Sequence, residues 1–137
     1  CYETIGGYLP LAGGIDAVAE NMARMKGWQA VAFTDLPVYH YRGVGAANLN
    51  SLSVKFIGGI NDYLIGYHPL FQIVRNLYSI FQKPVFGSLL RTCGYFWALS
   101  KRSKKPVSSD YVKYLRSEQL IRLKSLLLTG KDTVMKV

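Results

Sequence analysis

The chain of 137 residues carries 17 Lys and Arg against 8 Asp and Glu, a net charge of +9, with half of its residues hydrophobic and 18% charged. That length suits one domain or a part of one, and the apolar content excludes a disordered polybasic tail, because enough apolar surface exists to offset the ordering of the chain. Cys1 and Cys93, the two cysteines present, exclude a disulfide-stapled secreted mini-protein. There is no signal peptide, and the chain opens on Cys1 rather than Met, which we read as a piece lacking its natural N-terminal part.

The charge is unevenly spread. Residues 1–100 hold 7 basic and 5 acidic side chains, a net of +2, and residues 101–137 hold 10 and 3, a net of +7. The second group opens with Lys101, Arg102, Lys104 and Lys105, a cluster that suits a polyanion, either nucleic acid or an anionic membrane. No helix-turn-helix, zinc-finger or RNA-recognition motif is present, and the aromatics do not alternate with basic residues as in a strand-binding groove, so nucleic acid takes second place.

In chain order, Gly6, Gly7, Pro10, Gly13 and Gly14 make residues 5–15 a turn-rich loop. Asp16 stands as the N-cap of a helix over 17–26, in which Val18, Met22 and Met25 share a face and Gly27 supplies the stop. Residues 28–33 form an apolar strand opened by Trp28, expected in the core, and Val38 to Tyr41 form a second short strand. Helices then follow. One covers 51–66, loosened by Gly58 and Gly59. A second covers 69–82, with Pro69 in its first turn and Leu70, Val74, Leu77 and Phe81 in one stripe. A third covers 84–99, with a wide face of Phe86, Leu89, Leu90, Cys93, Phe96 and Trp97. The last covers 110–128, where Leu120, Leu123, Leu127 and Leu128 oppose Arg116, Arg122 and Lys124. No repeat or low-complexity stretch interrupts them.

The helices at 69–82 and 84–99 measure only ~21 and ~24 Å at 1.5 Å per residue, against a hydrocarbon core of ~30 Å. Each carries an internal arginine, Arg75 or Arg91. Such helices suit the membrane interface better than a crossing, and packing against each other is the alternative.

Among the acidic residues only Asp16 lies between a glycine-rich loop and a helix start. The glycines leave room for a substrate, and negative charge is favoured at a helix N-terminus, as a general base requires. Asp is equally a favoured cap with no chemistry attached. His40 has no second ligand at metal spacing, and there is no Walker loop, dinucleotide fingerprint or nucleophile elbow.

Four short motifs occur in order: Ile5-Gly6-Gly7-Tyr8, Gly13-Gly14-Ile15-Asp16, Ala23 to Trp28, and Val38 to Gly43. Together they resemble family 2 glycosyltransferases, in the part of the GT-A catalytic domain that follows the nucleotide-binding half. The resemblance covers about residues 1–45. Tyr67-His68-Pro69-Leu70-Phe71 and the helices after it also resemble the C-terminal extension of bacterial members. The resemblance implies an α+β fold, with a mixed-sheet remnant in residues 1–45 followed by a helical, basic, membrane-associated region in 46–137. It implies a bacterial enzyme, inverting in the family's manner, that moves a sugar from a nucleotide-sugar donor to a polysaccharide or lipid-linked acceptor.

By the same resemblance Asp16 is the general base, Gly13 and Gly14 admit the acceptor, Arg42 assists with phosphate, and His40 helps hold a divalent metal, Mg or Mn, whose other ligands lie upstream. The implied location is peripheral, on the cytoplasmic face of the inner membrane, with an anionic membrane surface as partner and no nucleic acid. Ile15 stands where the motif usually has Glu, and the Asp-x-Asp metal motif and donor-binding strands have no counterpart. The piece alone is therefore expected to be inactive, since in-line attack needs donor and base together. Two other classes remain: a non-catalytic module that binds anionic membrane, and a basic helical nucleic-acid binder.

Overall fold

The computed structural model describes residues 1–31, 39, 51–80 and 85–129. These contain five helices: α1 (Ile15–Met25), α2 (Ser51–Leu64), α3 (Pro69–Ile80), α4 (Val85–Ser100) and α5 (Ser109–Thr129). Among the described residues there is no strand, so the expected α+β class, with its GT-A sheet remnant, is corrected to all-α.

The first expected strand shows the reason. Trp28 donates its backbone N–H to Ala23 O at 3.0 Å and Gly27 donates to Arg24 O at 2.9 Å, with Gly27 at φ 86°. These two bonds close the C-terminus of α1 in a Schellman motif. The amide that would begin a sheet ladder is already engaged by the helix end. Residues 28–31 continue as exposed coil, and Trp28 is 47% exposed rather than in the core. The rest of that strand and, Tyr39 apart, the second one at 38–41 lie outside the described residues.

The helix ends follow local chemistry. Gly14, at φ 74°, is the N-cap of α1, and its carbonyl accepts from Val18 N–H at 3.0 Å. Asp16 therefore sits in the first turn instead of serving as the cap. α2 stops as α1 does: Gly66 is at φ 96°, and Tyr67 N–H donates to Asp62 O at 3.0 Å. Pro69 opens α3, where a missing N–H costs nothing. Ser108 caps α5, its Oγ accepting from Tyr111 N–H at 3.2 Å.

Two buried clusters hold the helices together. Val18, Ile65, Val107, Tyr111 and Leu115 join α1, the α2 end and α5, with Met22 and Met25 packed against them. Tyr63, Tyr95 and Ala98 form the second cluster between α2 and α4. Tyr67 touches both clusters. On α5 the inward face is Tyr111, Leu115 and Gln119, whereas Leu120, expected on the leucine face, is 43% exposed, and the side chains of Leu127 and Leu128 lie outside the described residues. The anchor is the Tyr111 ring in the Val18 cluster, and it rotates Leu120 outward.

α2 and α4 make the most extensive helix pair. A Cβ on Gly59 would lie 1.9 Å from Arg91 O, and one on Gly94 would lie 2.1 Å from Phe56 O. Each glycine thus lets the facing backbone come into direct contact. Gly59, expected to loosen α2, is instead what allows it to pack.

α3 and α4 are turned inside out relative to a water-facing helix. α3 buries Gln72 and Asn76 while Leu70, Val74, Leu77 and Tyr78 are exposed. α4 buries Ser88, Tyr95 and Ala98 while Phe86, Leu89, Phe96 and Trp97 are exposed. Their contact is polar: Asn76 Nδ2 donates to Thr92 Oγ1 at 2.7 Å.

Candidate functional site

Residues 11–16 bring Gly13, Gly14 and Asp16 together at the start of α1. Gly14 needs its positive φ, which L side chains rarely adopt. Gly13 is constrained differently: a Cβ there would come within 2.6 Å of Asn61 Nδ2, so its lack of a side chain allows the loop to lie on α2. Asp16 is exposed, and it is absent from the linings of the three cavities described below. Its carboxylate is thus open to solvent on a fixed helix. His40 and Arg42 lie outside the described residues. Among the described residues no three His, Cys, Asp or Glu side chains gather where a metal ion could be held.

The strongest electrostatic arrangement is one that sequence reasoning missed. Asp62, 3% exposed, accepts from Gln72 Nε2 at 2.9 Å, from Arg75 at 2.5 Å and from Arg91 at 2.7 and 2.9 Å. The bond to Asp62 raises the pKa of Arg91, against the opposing effect of its burial. A single carboxylate therefore holds α3 and α4 onto α2. Its signal was present in the sequence. Gln72, Arg75 and Asn76 form a polar stripe on α3, and Ser88, Arg91 and Thr92 another on α4, each opposite the apolar stripe of its helix.

Three cavities lie around this framework. One of about 320 Å³ lies between α1, α3 and α5 and includes Glu20, Arg24, Tyr67, Glu118 and Arg122 in its lining. Arg24 bridges Glu20 at 2.5 Å and Glu118 at 3.3 Å, so much of the charge there is already neutralised by ion pairs. One of about 190 Å³ is lined by Lys55, Arg75, Asn76, Gly87, Ser88 and Arg91. One of about 230 Å³ lies beside Gly13, Asn61 and Lys104.

Several ionisable groups are perturbed by the packing. Burial pushes the Tyr95 and Tyr111 phenols up to about 12. Tyr95 donates its hydroxyl to Tyr67 O at 2.7 Å, and Tyr111 accepts from Asn21 at 3.3 Å. Burial, with Arg116 nearby, lowers the His68 imidazole, whose Nδ1 accepts from Leu70 N–H at 3.2 Å at the start of α3. Burial and Arg116 likewise lower Lys105, whose ammonium lies 4.7 Å from the centre of the Tyr63 ring.

Comparison with protein-family models, with curated proteins and with solved structures finds no match to this chain.

Proposed function

We propose that the chain is the acceptor-side and membrane-docking part of a glycosyltransferase, in which a nucleotide-sugar donates its sugar to a polysaccharide or lipid-linked acceptor. The observation that carries this reading is the placement of Asp16: an exposed carboxylate on the first turn of α1, directly after the Gly13-Gly14 turn. An acceptor hydroxyl is a poor nucleophile until its proton is taken. In the proposed step Asp16 accepts that proton as the hydroxyl oxygen bonds to the anomeric carbon. The bond from that carbon to the diphosphate breaks, and the nucleoside diphosphate leaves with the electron pair.

The inverted helices support the docking half of the proposal. Leu70, Val74 and Leu77 of α3 and Phe86, Leu89 and Trp97 of α4 are exposed, and Lys101, Arg102 and Lys104 follow directly. An apolar face beside basic residues is what an interfacial helix presents to anionic lipid. No helix among the described residues is long and apolar enough to cross a membrane. The same faces favour a second reading, a membrane-docking module without catalysis.

One variant separates the two. Asp16→Asn in the parent enzyme, with helicity unchanged by circular dichroism, is expected to lower sugar transfer to the acceptor by about 10²–10⁴-fold. Transfer near the wild-type rate would remove Asp16 from the chemistry and leave the docking module.

A further inference from the structure

The cavity of about 190 Å³ between α2, α3 and α4 has a lining unlike the other two. Lys55, Arg75 and Arg91 all face it, together with Asn76, Gly87 and Ser88. Asp62 pairs with both arginines, so one carboxylate stands against three cations. Lys55 is in no ion pair among the described residues. Its stem lies along Gly87, where a Cβ would meet Lys55 Cε and Cγ at 3.4 Å, and its side chain lines the cavity. Gly87 belongs to the first turn of α4, a helix of 16 residues, where backbone N–H groups lack intrahelical partners and carry partial positive charge, and Ser88 follows it. Phe86 and Leu89 on the same turn, on the opposite side of α4 from the cavity, are 73% and 50% exposed.

Excess positive charge, hydrogen-bond donors and an open volume thus meet at one place. We propose that this cavity is a phosphate-binding site that takes a phosphate mono- or diester. Lys55 and Arg91 pair with the phosphate oxygens, and Ser88 with the first-turn amides of α4 donates to them. The phosphate is either free or that of a lipid headgroup. That lipid source rests on the docking proposed above, whereas the phosphate chemistry does not.

The test uses the 137-residue chain and two probes. Inorganic phosphate is titrated by calorimetry, and vesicles of phosphatidylcholine with phosphatidylglycerol are used in flotation. Lys55→Gln removes one charged donor without breaking the Asp62 clamp, and Lys113→Gln removes an exposed charge elsewhere. Lys55→Gln is expected to weaken phosphate binding about tenfold, with Lys113→Gln unchanged. Ser88→Ala should weaken it as well. Phosphate binding that is absent, or equal in wild type and Lys55→Gln, overturns the site. Vesicles bound equally by both proteins in that case would leave the docking reading standing. Phosphate binding lost in Lys55→Gln, with no vesicle binding by wild type, would support the site for free phosphate and end the docking reading.

Discussion

At the scale of single residues, polar side chains do the joining in this molecule. Asp62 takes donors from α3 and α4 at once, and Arg116 Nε donates to Gly66 O at 3.1 Å, tying α5 to the end of α2. Replacing Asp62 by a neutral residue would leave two guanidinia without their shared partner, the costly direction for a buried pair. His68 works in the same economical way. Its backbone N–H donates to Gln119 Oε1 at 2.8 Å while its ring accepts from Leu70, so it links α3 to α5 and caps α3. Because its folded pKa is lowered below the ordinary 6.5, the neutral imidazole is the form the fold prefers. The stabilisation is present above the unfolded pKa and is lost as pH falls through the folded one. Urea unfolding from pH 8 to pH 5 should therefore show declining stability. His68→Asn, which keeps an acceptor at the cap but does not titrate, should flatten that part of the decline. An identical pH profile in the variant would remove His68 as its cause.

At the scale of elements, all five helices follow sequence expectation to within two residues at each end, although the cap of α1 is Gly14 rather than Asp16. Their boundaries are written in local chemistry: Gly27 and Gly66 in left-handed conformations, Pro69 at a helix start, and Ser108 as a cap. What local chemistry did not show was how closely α2 and α4 approach. Gly58 and Gly59 are neighbours in sequence and opposites in structure. A Cβ on Gly59 collides with the Arg91 backbone, while one on Gly58 meets only the Arg91 guanidinium at 3.8 Å, an ordinary contact. Gly59→Ala should force the helices apart and cost about 3 kcal/mol. Gly58→Ala should stabilise by about 0.5–1 kcal/mol through helix propensity. Thermal denaturation of the two variants compares them directly, and equal effects would refute the close contact.

At the scale of the whole molecule, the distribution of polarity is the unusual feature. The α3–α4 pair keeps Gln72, Asn76 and Ser88 inside, toward Asp62 of α2, and presents leucine, phenylalanine and tryptophan outside. The basic segment after α4 is anchored in part, Lys101 lying 5.9 Å from the Trp97 ring centre and Lys105 over Tyr63. If the outer apolar side chains meet lipid rather than hold the fold, exchanging them should separate the two properties. A triple substitution of Leu70, Val74 and Leu77 by Ser should change stability by only about 0.5 kcal/mol per site, and it should abolish flotation with anionic vesicles. A large loss of stability would show that these side chains pack, and undiminished flotation would place lipid contact elsewhere.

The sequence by itself determined where helices lie and how they end, because turn glycines, prolines and caps act within a few residues of themselves. It also marked Asp16 as a carboxylate at a helix start, although the cap fell to Gly14. Tertiary structure alone decided the rest. A strand requires a partner far along the chain, and the Trp28 amide had a nearer acceptor in Ala23. Helical periodicity declares that a stripe exists but not which side faces inward, and Asp62, buried where three helices meet, drew the polar stripes of α3 and α4 toward itself.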